Sequence, residues 1–117
     1  MAHILLVEDD PEIGPLLQHI LLGAGYSVDT AASCAGALAL LHSGASYDLV
    51  LADGRLGDGT GFVVADEGQA LGAKTLILTG YALQFSRHEL ERHPTIWKPV
   101  RRNELLAVVE RRLNGLI

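Results

Sequence analysis

A chain of 117 residues with 49% apolar and 20% charged residues has the composition of one folded domain, over residues 1–117, and not that of a disordered segment. Its net charge of −5 argues against direct nucleic-acid binding, and no apolar stretch reaches the roughly 20 residues of a membrane span. The single cysteine, Cys34, excludes an internal disulfide and fits a reducing compartment, so we expect a cytoplasmic location.

The first predicted element is a buried strand over residues 4–7, which ends in three carboxylates, Glu8, Asp9 and Asp10. Asp10 and the following Pro11 are typical of an N-cap and a first helical turn. Apolar residues then recur with helical spacing, at Ile13, Leu16, Leu17, Ile20 and Leu21.

Two further elements precede the middle of the chain. Residues 26–31 alternate in polarity, which predicts a strand at or near the edge of a sheet. Ser33 is a suitable N-cap for a helix over residues 34–42, and the Ser43-Gly44 pair ends that helix.

The central stretch of the chain is an apolar run over residues 49–52 that ends in Asp53 and is followed by a glycine-rich loop over residues 54–61. A short apolar run bounded by turn residues is typical of a buried parallel strand. Open α/β sheets bind ligands at the carboxyl ends of such strands, and glycines let the backbone approach a ligand closely. Asp53 is therefore a candidate functional residue.

The second half of the chain continues the alternation of strands and helices. It is predicted to contain a helix over residues 61–71 that is weakened by Gly68, a strand over 75–79, a short helix over 86–92, a strand over 95–98 and a last helix capped by Asn103. Five strands that alternate with five helices indicate a parallel sheet with right-handed crossovers.

Polar side chains stand where four of these strands end, namely Glu8 and Asp9, Asp53, Thr79 and Lys98. Because the carboxyl ends of parallel strands share one edge, residues far apart in sequence should converge there. Crowded carboxylates raise one another's pKa, and a hard divalent cation, Mg²⁺ or Mn²⁺, relieves that repulsion. An ammonium group and a hydroxyl beside them can bind phosphoryl oxygens.

This ordered set resembles the receiver domain of two-component response regulators. The family has an acidic pair after the first strand, an aspartate after the third, Ser or Thr after the fourth and Lys-Pro after the fifth. The sequence has ILLVEDDPEI, DLVLADGRLGDGTGF, LILTG and WKPV at those places. The resemblance covers the whole chain and implies an α/β fold, a flavodoxin-like (βα)5 three-layer sandwich with a parallel five-stranded sheet in the order 2-1-3-4-5.

The resemblance also implies a phosphoacceptor and a metal site. Asp53 corresponds to the phosphoacceptor. Glu8 and Asp9 correspond to the metal-binding acidic pair, with Asp9 as a direct ligand, and the backbone carbonyl of Arg55 would be another ligand. The implied cofactor is Mg²⁺, or Mn²⁺ in its place.

The remaining implied roles concern the phosphoryl group and its transfer. Thr79 and Lys98 would contact the phosphoryl group after it reaches Asp53. The donor would be a histidine kinase or a histidine phosphotransfer protein, and the output would be contact with a downstream protein that the sequence does not identify. The domain would be catalytic only in promoting its own phosphorylation and dephosphorylation.

Three positions depart from the family pattern. Gly57 replaces a usual proline, which predicts a looser loop. Gly80 follows Thr79, where another small side chain is usual. Thr95 occupies the position of the family's aromatic switch residue, so we expect a switch that does not bury an aromatic there and that uses a Gly80-Tyr81 hinge instead.

Two other kinds of function stay open at this point. A receiver-like interaction module would bind its partner without regard to phosphate, and the missing aromatic at Thr95 favours it. A flavodoxin-like cofactor binder or a phosphohydrolase with Asp53 as nucleophile is the third interpretation. Phosphohydrolases of that kind usually carry an acid/base carboxylate two residues after the nucleophile, where this chain has Arg55.

Overall fold

The structure is a computed structural model, and it describes residues 2–80 and 85–116. Tyr81, which was predicted to form part of a hinge, lies outside the described residues. The elements follow one another as β1 (His3–Val7), α1 (Ile13–Gly23), β2 (Ser27–Ala31), α2 (Cys34–Leu41), β3 (Leu49–Asp53), β4 (Arg55–Leu56), β5 (Gly59–Thr60), α3 (Gly61–Ala70), β6 (Lys74–Thr79), α4 (Arg87–Arg92), β7 (Thr95–Trp97) and α5 (Arg102–Leu113).

Five of the strands form one parallel sheet in the order β2-β1-β3-β6-β7. This order is 2-1-3-4-5 when the short hairpin strands β4 and β5 are left out, so the predicted flavodoxin-like α/β fold is confirmed. The hairpin is antiparallel and lies between β3 and α3. Strands β2 and β7 form the two edges, as was predicted for the alternating second strand.

Helices cover both faces of the sheet, which makes three layers. Helices α1 and α5 cover one face through Leu17, Leu21, Leu105 and Val109. Helices α2 and α3 cover the other through Ala37, Leu41, Phe62, Val64 and Ala65. All five residues of the central strand β3 are buried, which explains why that strand is a continuous apolar run. In the part of the chain that the structure describes, no helix combines the length and the apolar character that crossing a membrane requires.

Of the three predicted caps, Asp10 and Ser33 accept backbone N–H groups at helix starts, and Ser86 forms a cap that was not predicted. The Asp10 carboxylate accepts the backbone N–H groups of Glu12 at 2.8 Å and of Ile13 at 3.1 Å. Ser33 Oγ accepts the N–H of Gly36 at 3.0 Å, and Ser86 forms a capping box with Glu89 at the start of α4.

The predicted N-cap at Asn103 is wrong. Helix α5 begins at Arg102, so Asn103 lies inside its first turn, and Arg101 is the N-cap without a side-chain hydrogen bond. The N–H of Leu105 already bonds the carbonyl of Arg101 at 2.9 Å. Helical hydrogen bonding therefore starts earlier than a cap at Asn103 would allow.

Gly68 has a packing role in α3. A Cβ at this position would lie 2.6 Å from Val50 Cγ2, so the missing side chain lets α3 approach β3 closely. We expect Gly68→Ala to lower the free energy of unfolding by about 1 kcal/mol, because overpacking of about 1–3 kcal/mol outweighs a helix-propensity gain of about 1 kcal/mol. Urea unfolding measures the change.

The matched control for this prediction is Gly23→Ala at the end of α1. There a new Cβ would meet only Arg102 Nη2, at an ordinary 3.7 Å, so the free energy of unfolding should not fall. An equal loss in both variants would contradict the packing argument.

Candidate functional site

Three of the strand ends singled out in the sequence carry buried polar side chains. Glu8 follows β1 and is 6% exposed, Asp53 ends β3 and is 7% exposed, and Thr79 ends β6 and is fully buried. Lys98 follows β7, and its backbone N–H bonds the carbonyl of Thr79 at 2.9 Å. The parallel register therefore brings all four to the same edge of the sheet, as the strand-end argument predicted.

Lys98 joins two of the carboxylates directly. Its Nζ donates to Glu8 Oε1 at 2.8 Å and to Asp53 Oδ2 at 3.0 Å. These ion pairs link residues that are 90 and 45 positions apart in the chain. A buried carboxylate pair is held in place here by one shared ammonium group.

The environment changes how these groups titrate. Burial and the neighbouring Asp53 carboxylate together raise the pKa of Glu8 to about 7, and the Lys98 ammonium offsets only part of that rise. Burial alone would lower the pKa of Lys98, but its hydrogen bonds to Glu8 and Asp53 outweigh burial and raise it. Lys98 therefore stays charged, and near neutral pH Glu8 carries a proton part of the time.

Asp9 completes a cluster of carboxylates. One oxygen from each of Glu8, Asp9 and Asp53 lies within 4.8 Å of the others, and Asp9 is exposed where the other two are buried. A cleft of about 520 Å³ opens beside the cluster, with Asp9, Asp53, Arg55 and Lys98 in its lining. Three hard oxygen donors, open to solvent on one side, fit a divalent cation such as Mg²⁺.

Arg55 begins the hairpin that borders the cleft. Its backbone N–H donates to Asp53 Oδ1 at 3.1 Å, so the two oxygens of Asp53 have different partners. The sequence pattern predicted only a glycine-rich loop in this segment, and the hairpin was not predicted. The Gly57-Asp58 turn between Leu56 and Gly59 was the available signal, because small residues of this kind join hairpin strands.

Two glycines beside Asp53 are required by close packing. A Cβ on Gly54 would lie 3.0 Å from Thr79 Cβ and 3.1 Å from its Oγ1, so a side chain at residue 54 would crowd Thr79. A Cβ on Gly61 would overlap the carbonyl oxygen of Asp53. These glycines were expected to let a ligand approach the backbone, whereas in the structure they let the chain pack around the end of β3.

Known proteins share this fold and sequence pattern. The receiver-domain protein of Methanospirillum hungatei JF-1 is 29% identical, with a TM-score of 0.86 over 98% of this chain and 95% of that one. The response regulator TrrA of Thermotoga maritima is 33% identical, with a TM-score of 0.84 over 95% of this chain and 98% of that one.

Curated relatives match over a shorter stretch. The transcriptional regulatory protein GlrR of Escherichia coli (strain K12) is 40% identical over 82 residues, which are 68% of this chain and 18% of that protein. This chain thus matches less than a fifth of that relative's length. The family model described as the response regulator receiver domain matches residues 4–110. The protein therefore belongs to the response regulator receiver family.

Proposed function

We propose that this protein is a phosphorylation-dependent receiver that accepts a phosphoryl group on Asp53 from a phosphohistidine. The donor would be a histidine kinase or a histidine phosphotransfer protein, and the output would be contact with a downstream protein. The observation that carries the proposal is the bridge from Lys98 Nζ to Glu8 and Asp53 beside an open carboxylate cluster. The cytoplasm is the proposed location, and residues 1–117 are proposed to form one receiver domain.

The contacts of Asp53 suit a nucleophile held for attack. The Arg55 N–H and the Lys98 ammonium hold its two oxygens. In the proposed step a carboxylate oxygen of Asp53 bonds to phosphorus, the P–N bond breaks, and the imidazole leaves with the bonding electron pair. The Lys98 ammonium, which already bonds Asp53, would then donate to the oxygens of the new acyl phosphate, and we propose that the Thr79 hydroxyl does the same.

A divalent cation is part of the proposal. Asp9, Asp53 and the Arg55 carbonyl would hold it, with Glu8 next to them, and it would supply neutralisation of the charge on the phosphoryl oxygens. The Thermotoga maritima relative TrrA is described in complex with Mg(2+)-BeF, which supports the same choice of ion here.

Asp9→Ala should weaken Mg²⁺ binding by at least about tenfold, since even residues outside the ligand shell change metal affinity by 10–100-fold. Trp97 is the only tryptophan and precedes Lys98, so its fluorescence offers a titration signal, with calorimetry as a second measurement. Glu12→Ala is the control, because Glu12 is an exposed carboxylate near the same helix start and outside the cluster. Equal Mg²⁺ affinity in Asp9→Ala and wild type would exclude Asp9 as a ligand.

Phosphotransfer tests the function itself. The protein should take one phosphoryl group from a phosphorylated histidine kinase or from acetyl phosphate with Mg²⁺, and mass spectrometry should find an acyl phosphate. Partner binding measured with and without that modification separates the two main interpretations. Binding that is equal in both forms would favour an interaction module that does not depend on phosphate.

A further inference from the structure

Asp58, in the turn of the hairpin, bonds to a helix that is distant in the sequence. Its Oδ1 accepts the backbone N–H of Cys34 at 2.8 Å, and its Oδ2 accepts that of Ala35 at 3.0 Å. Both donors belong to the first turn of α2, where backbone N–H groups have no partner within the helix. The bonds from Ala35 and Cys34 also hold the pKa of Asp58 below its ordinary value.

These bonds are additional to an ordinary helix cap. Ser33 already caps α2 locally through Gly36, so the helix has its N-cap without Asp58. A third contact joins the same two elements, because Cys34 Sγ donates to the carbonyl of Thr60 at 3.3 Å. The hairpin is therefore attached to the first turn of α2 at its turn and at its second strand.

The hairpin also forms one wall of the carboxylate cleft. Its first strand carries Arg55, whose N–H holds Asp53. On the other side, a Cβ on Gly57 would lie 3.8 Å from Asp9 Oδ2, so the turn runs beside Asp9. Any movement of the hairpin would change the position of the Arg55 backbone relative to both carboxylates.

We propose that Asp58 is a positioning residue that holds the hairpin against α2 and thereby sets the affinity of the cleft for its divalent cation. The inference rests on the proposed function, because it concerns the same ion site. A fixed hairpin does not have to be ordered when the ion binds, and pre-organisation of this kind raises affinity. The tether matters here because Gly57 leaves the turn without the conformational restriction of a proline.

The test compares Asp58→Ala with Ser33→Ala. Both variants remove side-chain acceptors from the start of α2, but only Asp58→Ala frees the turn of the hairpin, and the contact of Cys34 with Thr60 remains in both. In Asp58→Ala the dissociation constant for Mg²⁺ should rise about tenfold, the lower end of the effect of residues that orient metal ligands. Amide hydrogen exchange in residues 55–60 of the ion-free protein should also become faster. Ser33→Ala should change neither quantity.

A second variant separates positioning from charge. Asp58→Asn removes the same negative charge but keeps one carbonyl oxygen that can accept a backbone N–H. Its Mg²⁺ affinity should lie between those of wild type and Asp58→Ala, and the difference between the two variants should persist at high salt, where distant charges are screened. Equal losses in both variants that disappear with salt would overturn the proposal.

The outcomes also distinguish a failure of the positioning role of Asp58 from a failure of the proposed function. If wild type binds Mg²⁺ and accepts phosphate but Asp58→Ala binds Mg²⁺ equally well, the positioning role is wrong and the proposed function stands. A wild-type protein that binds no Mg²⁺ and accepts no phosphate would overturn both. If Asp58→Ala does not fold, the intermediate affinity expected for Asp58→Asn, compared with Ser33→Ala, decides the question.

Discussion

Asp53→Asn should abolish phosphorylation by both a phosphohistidine donor and acetyl phosphate. The substitution keeps the shape of the side chain and an oxygen that can accept the Arg55 N–H, but it removes the carboxylate charge that makes the oxygen nucleophilic. Mass spectrometry after incubation with Mg²⁺ and acetyl phosphate should show wild type with one added phosphoryl group and the variant with none.

The fold should survive this change. Asp53 and Glu8 share the single Lys98 ammonium, and the Asp53 carboxylate contributes to the raised pKa of Glu8. Removing one of the two negative charges relieves their repulsion, so urea unfolding should show no large loss of stability. The absence of phosphorylation in Asp53→Asn would then result from the missing carboxylate nucleophile and not from unfolding.

The matched control is Asp48→Asn, which lies just before the same strand at its opposite end. Asp48 is exposed and accepts the backbone N–H of His3 at 2.8 Å, far along β3 from the carboxylate cluster. The Asp48→Asn variant should be phosphorylated to the same extent as wild type. Full labelling of Asp53→Asn on another residue would refute the assignment of Asp53 as phosphoacceptor.

Much of the fold was predictable because its signals are local. Apolar runs mark strands that are covered on both faces, and the predicted caps Asp10 and Ser33 accept backbone N–H groups at helix starts. The spatial order of the strands was not predictable from local signals, because the sequence of a strand does not specify which strands lie beside it. That order came from the family resemblance, and the structure confirms it.

The candidate site was predictable to the same extent. The rule that parallel strands end at one edge is enough to bring Glu8, Asp53 and Lys98 together. Contacts between residues far apart in sequence were missed, as with Asp58 and Cys34, because no periodicity marks them. The antiparallel hairpin of β4 and β5 was missed too.

His93 is a second example of a contact that the sequence did not reveal. The structure buries its side chain completely. Its Nδ1 lies 2.6 Å from Thr75 Oγ1, and its Nε2 lies 2.7 Å from Asp66 Oδ1. Arg92 donates two further hydrogen bonds to Asp66, from Nε at 3.1 Å and from Nη2 at 2.8 Å. Asp66 on α3 therefore anchors the end of α4, a six-residue helix with no buried residue.

We expect Asp66→Ala to lower the free energy of unfolding by about 2–3 kcal/mol. The variant leaves the buried His93 Nε2 without its partner and removes two charge-assisted bonds to Arg92, and a buried unsatisfied group costs about 1–3 kcal/mol. Half of the Asp66 side chain is open to solvent, so its bonds to Arg92 add little. Urea unfolding measures the loss, and hydrogen exchange should show it first in α4.

Glu67→Ala is the matched control, because Glu67 follows Asp66 on α3 and also pairs with a histidine. Its partner His42 is exposed and lies 3.5 Å away, so the loss should stay below about 1 kcal/mol. Equal losses in the two variants would show that the burial of His93 is irrelevant.

Acid provides a further test of the same anchor. Burial opposes ionisation of Asp66, but the bonds from His93 and Arg92 outweigh it and lower its pKa below the ordinary value of 3.8. A carboxylate whose pKa is lower in the folded state than in the unfolded state stabilises the fold when it is ionised. This contribution is complete above the unfolded-state pKa and is lost as the pH falls through the folded-state pKa. The stability difference between wild type and Asp66→Asn should therefore be constant near neutral pH and shrink below about pH 4. A difference that instead persists unchanged at the lowest pH where wild type is folded would mean that the Asp66 charge does not hold α4 in place.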